Sequence, residues 1–135
     1  MYVIADERDV IKLRTNYRKD TVYLYPVNTS KEKMQMLFID MLERANQLRE
    51  KPEFYNTLTS TCTTNIASHI NQIAPGRIPL DPRLLFPENS DALAYELGLI
   101  DTSVPLMELR QQHTINERAE QYADSPDFSK LIRNR

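Results

Sequence analysis

The stretch TSKEKMQMLFIDMLERANQL, running from Thr29 to Leu48, decides the fold class. Apolar residues recur at Met34, Leu37, Phe38, Met41, Leu42, Ala45 and Leu48. That is the three-and-four spacing of one helical face, and it does not fit the alternating faces of a strand. Thr29, with Glu32 three residues later, fits a capping box, and Pro52 closes the segment. The Met34, Met36 and Met41 cluster reads most simply as core packing.

Working outward toward the N-terminus, Thr21–Val27 (Thr-Val-Tyr-Leu-Tyr-Pro-Val) is β-branched and aromatic and is the clearest strand, with Pro26 marking its end or an edge. Asp6 is placed to cap a helix through about Asn16, with Val10, Ile11 and Leu13 as its apolar side. Tyr2–Ala5 is a short strand candidate with nothing before it, so the chain is expected to be a piece of a longer protein. The N-terminus turns charged at Asp6 and Glu7 and is not a signal peptide.

Toward the C-terminus, residues 54–65 form a dense run of hydroxyl and amide side chains around Cys62, the only cysteine. A helix is expected to start near Ser60 or Thr61, both good N-caps, with Ile66, Ile70 and Ile73 as its apolar face and Pro75-Gly76 as its end. Short helices fit Asp81–Phe86, Ser90–Leu97 with Gly98 as C-cap, and Pro105–Gln112. Thr114-Ile115-Asn116-Glu117 reads as a second capping box, opening a helix to about Ala123, and Ser125-Pro126 begins a last helix to about Arg133. The expected fold is therefore α+β and predominantly helical, a single domain over residues 1–135 with few short strands and the cysteine at a helix N-terminus. The exposed edge of Thr21–Val27 would invite pairing with another copy, so a homo-oligomer is expected.

Composition narrows the function. A net charge of −2 gives no general affinity for nucleic acid, and two glycines leave little room for a phosphate-binding loop. No apolar run approaches the roughly 18 residues a membrane span needs. One cysteine and two scattered histidines, His69 and His113, give no metal-ligand spacing, and no cofactor motif is present. The basic residues Arg8, Lys12, Arg14, Arg18 and Lys19 alternate with Asp6, Glu7, Asp9 and Asp20, which reads as a solvated mixed-charge face.

Cys62 is the residue that could carry chemistry. The unpaired N–H groups and positive dipole end of a helix favour a thiolate and can hold the oxyanion formed when it attacks a carbonyl. The residues alone leave a second reading open, a small buried hydrophobe on the helix's inner face. A thiol enzyme also needs a base. His69 follows Cys62 by seven residues on the same face, roughly 10 Å along the helix, and reads as a helix-surface or interface histidine. His113 could reach Cys62 only through tertiary folding and reads as a structural or solvent-facing residue.

Three segments carry a resemblance: Tyr2 to Arg18, the stretch Tyr55-Asn56-Thr57-Leu58-Thr59-Ser60-Thr61-Cys62-Thr63-Thr64-Asn65-Ile66, and Ile115-Asn116-Glu117-Arg118-Ala119. Together they resemble the family of Lnb N-terminal periplasmic domains, over essentially the whole chain. The resemblance implies a bacterial envelope protein in the periplasm, and a parent often carrying transmembrane segments elsewhere. It implies thiol-dependent acyl transfer or hydrolysis on phospholipid or lipoprotein substrates, and a fold similar to circularly permuted papain-like domains. By that resemblance Cys62 is the nucleophile, taking an acyl group as a thioester, with Tyr55, Asn56, Thr61, Thr63 and Asn65 as supporting residues. Two departures stand out. The family's histidine lies on a strand upstream of the point where this sequence begins, so the chain matches the C-terminal part of the domain and is expected to be inactive or severely impaired alone. Position 61 is threonine where the family has asparagine. The alternative reading is a non-catalytic helical interaction module.

Overall fold

The structure, a computed structural model, describes residues 4–54, 61–85, 88 and 90–134. The strand candidate Tyr2–Ala5 falls largely outside the described residues, as does Phe86 at the end of the Asp81–Phe86 helix. Packing divides the described residues into two units: one lies within 27–102, and the other joins 4–26 with 103–134. The described residues are predominantly helical. None of their helices is long and apolar enough to cross a membrane.

The first unit is built on two long helices, α2 (Lys31–Glu50) and α3 (Cys62–Ile73), with α4 (Ser90–Glu96) after a 3₁₀ turn at Pro82–Leu85. The period read from Thr29 to Leu48 does form one continuous helix. Its cap is Ser30 rather than Thr29: the Ser30 hydroxyl accepts from Lys33 N at 3.3 Å. The core of this unit is Ala67, Ile78, Leu84 and Leu93, with Ile70, Leu97 and Leu99 packed against it. Asn71 fixes the turn after α3, since its side chain both donates to Ile78 O and accepts from Ile78 N, each at 2.8 Å. Gly98 (φ +63°) ends α4 in the left-handed conformation expected of it. Gly98 N bonds to Tyr95 O and Leu99 N to Ala94 O, the paired bonds of a Schellman motif.

The apolar stripe of α2 is not core packing. No residue of α2 is buried, and Met34, Met36 and Phe38 are 44%, 52% and 63% exposed. Periodicity identifies which side of a helix is apolar; it does not supply the surface that would cover it.

Arg83 holds the 3₁₀ turn to α4 by bonding both Asp81 (2.7 Å) and Glu96 (2.8 Å). The Arg83 guanidinium, helped by the Arg83 backbone N–H, pulls the Asp81 carboxyl down to about 2. A carboxyl depressed in the folded state contributes stability above its unfolded value of 3.8, and that contribution is lost as pH falls toward 2. A carboxyl-carbon NMR titration of Asp81 is expected to give a midpoint near 2; an ordinary aspartate midpoint would show the Arg83 clamp to be open in solution.

In the second unit, α1 (Glu7–Lys12) continues as a π-helical turn over Leu13–Tyr17, and α5 (Leu106–His113), α6 (Asn116–Gln121) and α7 (Phe128–Leu131) complete it. Asp6 caps α1 as expected, accepting from Arg8 N at 2.9 Å. The core is Ile11, Ile115, Ala119, Phe128 and Ile132, with Val22, Leu24 and Tyr122 against it. The mixed-charge face is ion-paired: Lys12 with Asp124, Arg14 with Asp20, Lys19 with Glu120 and Glu7 with Arg133.

Thr21–Val27 is not the strand its composition suggests. It makes one antiparallel bridge, Tyr23 to Thr114. Its partner is the short link between α5 and α6, so Leu24 N reaches His113 O and Ile115 N reaches Val22 O, and the ladder has nowhere to continue. The expected pairing edge is therefore replaced by a local clamp. Asn116 completes it, accepting from Val22 N and donating to Asp20 O, each at 2.8 Å. The second capping box does not form. Thr114 Oγ1 donates back to Arg110 O at 2.7 Å, and Ile115 stands at the cap position with no side-chain bond.

Candidate functional site

Cys62 is the first residue of α3, and its side chain is exposed. This removes the buried-hydrophobe reading. The helix begins there because Thr61, in extended backbone (φ −87°, ψ 171°), caps it. Thr61 Oγ1 accepts from Thr64 N at 3.1 Å, and Thr64 Oγ1 accepts from Thr61 N at 2.8 Å, a reciprocal capping box. Asn65 Nδ2 donates to Thr61 O at 2.6 Å and locks the same turn. The helix therefore opens at a fixed point, with Cys62 as its first residue.

The supporting residues thus divide. Thr61, itself buried, builds the cap together with Thr64, and Asn65 braces it. Thr63 Oγ1 lies 3.8 Å from Cys62 Sγ, the sulfur's one hydrogen-bonding neighbour among the described residues. A hydroxyl there can orient the sulfur or an incoming carbonyl, but it is too weak a base to take the thiol proton at neutral pH. Tyr55 and Asn56 lie outside the described residues.

Of the two expected placements of His69, helix surface or interface, the structure gives the interface between α3 and α2. His69 is 4% exposed, and its Nδ1 donates to Asp40 Oδ2 of α2 at 2.5 Å. Gln72, with its amide nitrogen turned to Asp40, donates to the same carboxylate at 2.8 and 3.1 Å. The inner face of α3 carries His69 toward α2, and Asp40 meets it there. The signal in the sequence was Asp40 itself, a lone carboxylate inside the apolar run Met36-Leu37-Phe38-Ile39-Asp40-Met41-Leu42. His113 belongs to the other unit. It is 3% exposed, donates through Nδ1 to Leu24 O at 2.7 Å and lies against the Tyr25 ring, centroids 5.0 Å apart. Each histidine therefore has a structural role in its own unit.

The Ile115–Ala119 segment is likewise structural in its contacts. Ile115 and Ala119 are core, Asn116 clamps Asp20–Val22, and Arg118 donates to Thr114 O and Asn134 O.

Residues 1–88 match the family model of the Lnb N-terminal periplasmic domain. No curated protein and no solved structure matches the chain.

Proposed function

Because the chain belongs to the Lnb N-terminal periplasmic domain family, we propose that Cys62 is the nucleophile of a thiol-dependent acyl transfer or hydrolysis on lipid or lipoprotein acyl groups in the periplasm. The observation that carries this reading is the exposed sulfur at the capped start of the twelve-residue helix α3. The thiolate adds to an ester carbonyl; the C–S bond forms, the C–O bond breaks, and the alcohol leaves with a proton. An amine or water then attacks the thioester, the C–S bond breaks, and the thiol is regained. Helix N–H groups stabilise the oxyanion in both steps. The thiol proton needs a base, and His69 is directed to Asp40 instead.

The test supplies that base. The protein is treated with p-nitrophenyl butyrate in imidazole buffer at neutral pH and followed by intact-protein mass spectrometry. One butyryl adduct is expected, absent in Cys62→Ser, reversed by hydroxylamine, and formed at least about tenfold faster than in urea-unfolded protein. Equal rates in folded and unfolded chains would reduce Cys62 to an ordinary thiol and sink the proposal.

A second reading, a helical interaction module that binds a partner or a second copy, is supported by the exposed Phe38 and Ile39 of α2. Cys62→Ser would leave such binding intact.

A further inference from the structure

A groove of about 490 Å³ runs between the first half of α2 and the Ile66, Ile70 and Ile73 side of α3. Its volume falls in the range of small-molecule sites. Met34 and Leu37 form one wall and Ile66, Ile70 and Ile73 the other, with Leu99 beside them. Two cations, Lys33 and Arg77, line the same groove, and no carboxylate does among the described residues. Neither side chain has an ion-pair partner among them, whereas Arg44 and Arg83 of the same unit are both paired.

We propose that this groove binds a long-chain fatty acid, its carboxylate held by Lys33 and Arg77 and its chain laid along Leu37, Ile70 and Ile73. Two cations facing no anion ask for a negatively charged group, and the apolar walls ask for a hydrocarbon attached to it. The walls also argue against a peptide. The two facing walls are helix side chains over backbone whose bonds are closed within each helix, and besides the two cations the polar lining is confined to Asn28, Thr29 and Ser30 before α2, so an entering peptide would lose water from most of its N–H and C=O groups without partners in exchange. A hydrocarbon chain has no such requirement. Cys62 does not line the groove, so this inference stands apart from the thiol chemistry.

The test is isothermal titration of the whole chain with dodecanoate below its micellar concentration. Saturable one-to-one binding in the micromolar range is expected. Dodecyltrimethylammonium and dodecyl maltoside, with the same chain but a cationic or neutral head, are expected to bind at least about tenfold more weakly. The exposed charge reversals Lys33→Glu and Arg77→Glu, combined, should weaken dodecanoate by a similar factor while leaving the helical circular dichroism intact. Ile70→Asp should weaken all three ligands together. Cys62→Ser should bind as the parent does, which separates this result from that of the acylation test. Absence of dodecanoate binding, equal binding of the neutral detergent, or binding only to vesicles of two-chain phospholipid would each overturn the proposal.

Discussion

Phe128→Ala is expected to lower the unfolding free energy by about 3–5 kcal/mol, the usual cost of truncating a buried aromatic residue. Phe128 opens α7 and is 2% exposed. It packs in one cluster with Ile11, Ile115, Ala119 and Ile132, which come from α1, the α5–α6 link, α6 and the residue after α7. No other described side chain larger than leucine is so completely enclosed. The cavity left by its ring would be walled by Ile11, Ile115, Ala119 and Ile132, from separate segments that would all have to shift to fill it. Domains of this size are held by only about 5–15 kcal/mol in all, so the loss should be visible as a large fall in urea midpoint. Met107→Ala, at a side chain 75% exposed, is the matched control and should stay within about 0.5 kcal/mol of the parent. If the two variants unfold at the same urea concentration, the core assigned to this unit is wrong.

The contrast between these two side chains shows where sequence reading succeeds. The helices were legible because their signals are local: apolar spacing over Met34–Leu48 and Ile66–Ile73, a hydroxyl at Thr61, a glycine at position 98. Burial is not local, and apolar spacing does not reveal it. Met34 and Met36 carry the same apolar signal as Ile115 and Ile132, yet the first two are exposed and the last two are at most 1% exposed. The capping residues show the same limit at finer scale. Thr29 and Ser30 are chemically equivalent caps, and only the chain path makes Ser30 the one that reaches Lys33 N. Thr114 must finish α5 before α6 can begin, so its hydroxyl turns back to Arg110 O. Thr21–Val27 has strand composition without a strand beside it, because what it meets is a link between helices. At the candidate site, the position of Cys62 at a helix start followed from Thr61. The roles of His69 and His113 depended on partners 29 and 89 residues away, Asp40 and Leu24, which no spacing rule connects to them.

The Asp40–His69 contact gives the second large effect, and it bears directly on the thiol. Asp40→Ala is expected to destabilise the first unit by about 2–3 kcal/mol, because it leaves the Nδ1–H of a buried imidazole without its charged acceptor. Asp40→Asn keeps an oxygen in place and should cost less, about 1 kcal/mol. In a double-mutant cycle with His69→Ala, the two losses should fall short of additive by about 1–2 kcal/mol, which is the signature of a direct interaction. The reactivity of Cys62 should not follow. Two helical turns, roughly 10 Å of rise, separate His69 from the sulfur, and the ring is buried and committed to α2 while Cys62 is exposed. Butyrylation of Cys62 in imidazole buffer should therefore proceed at the parent rate in His69→Asn, measured at a temperature where both proteins are folded. The opposite pattern, unchanged stability with acylation lost, would make His69 the base and would require α3 to bend so that the two side chains meet. The two measurements together assign the histidine. A stability loss with unchanged acylation identifies a residue that ties α3 to α2 and so holds the Thr61 cap, and the sulfur beside it, in place.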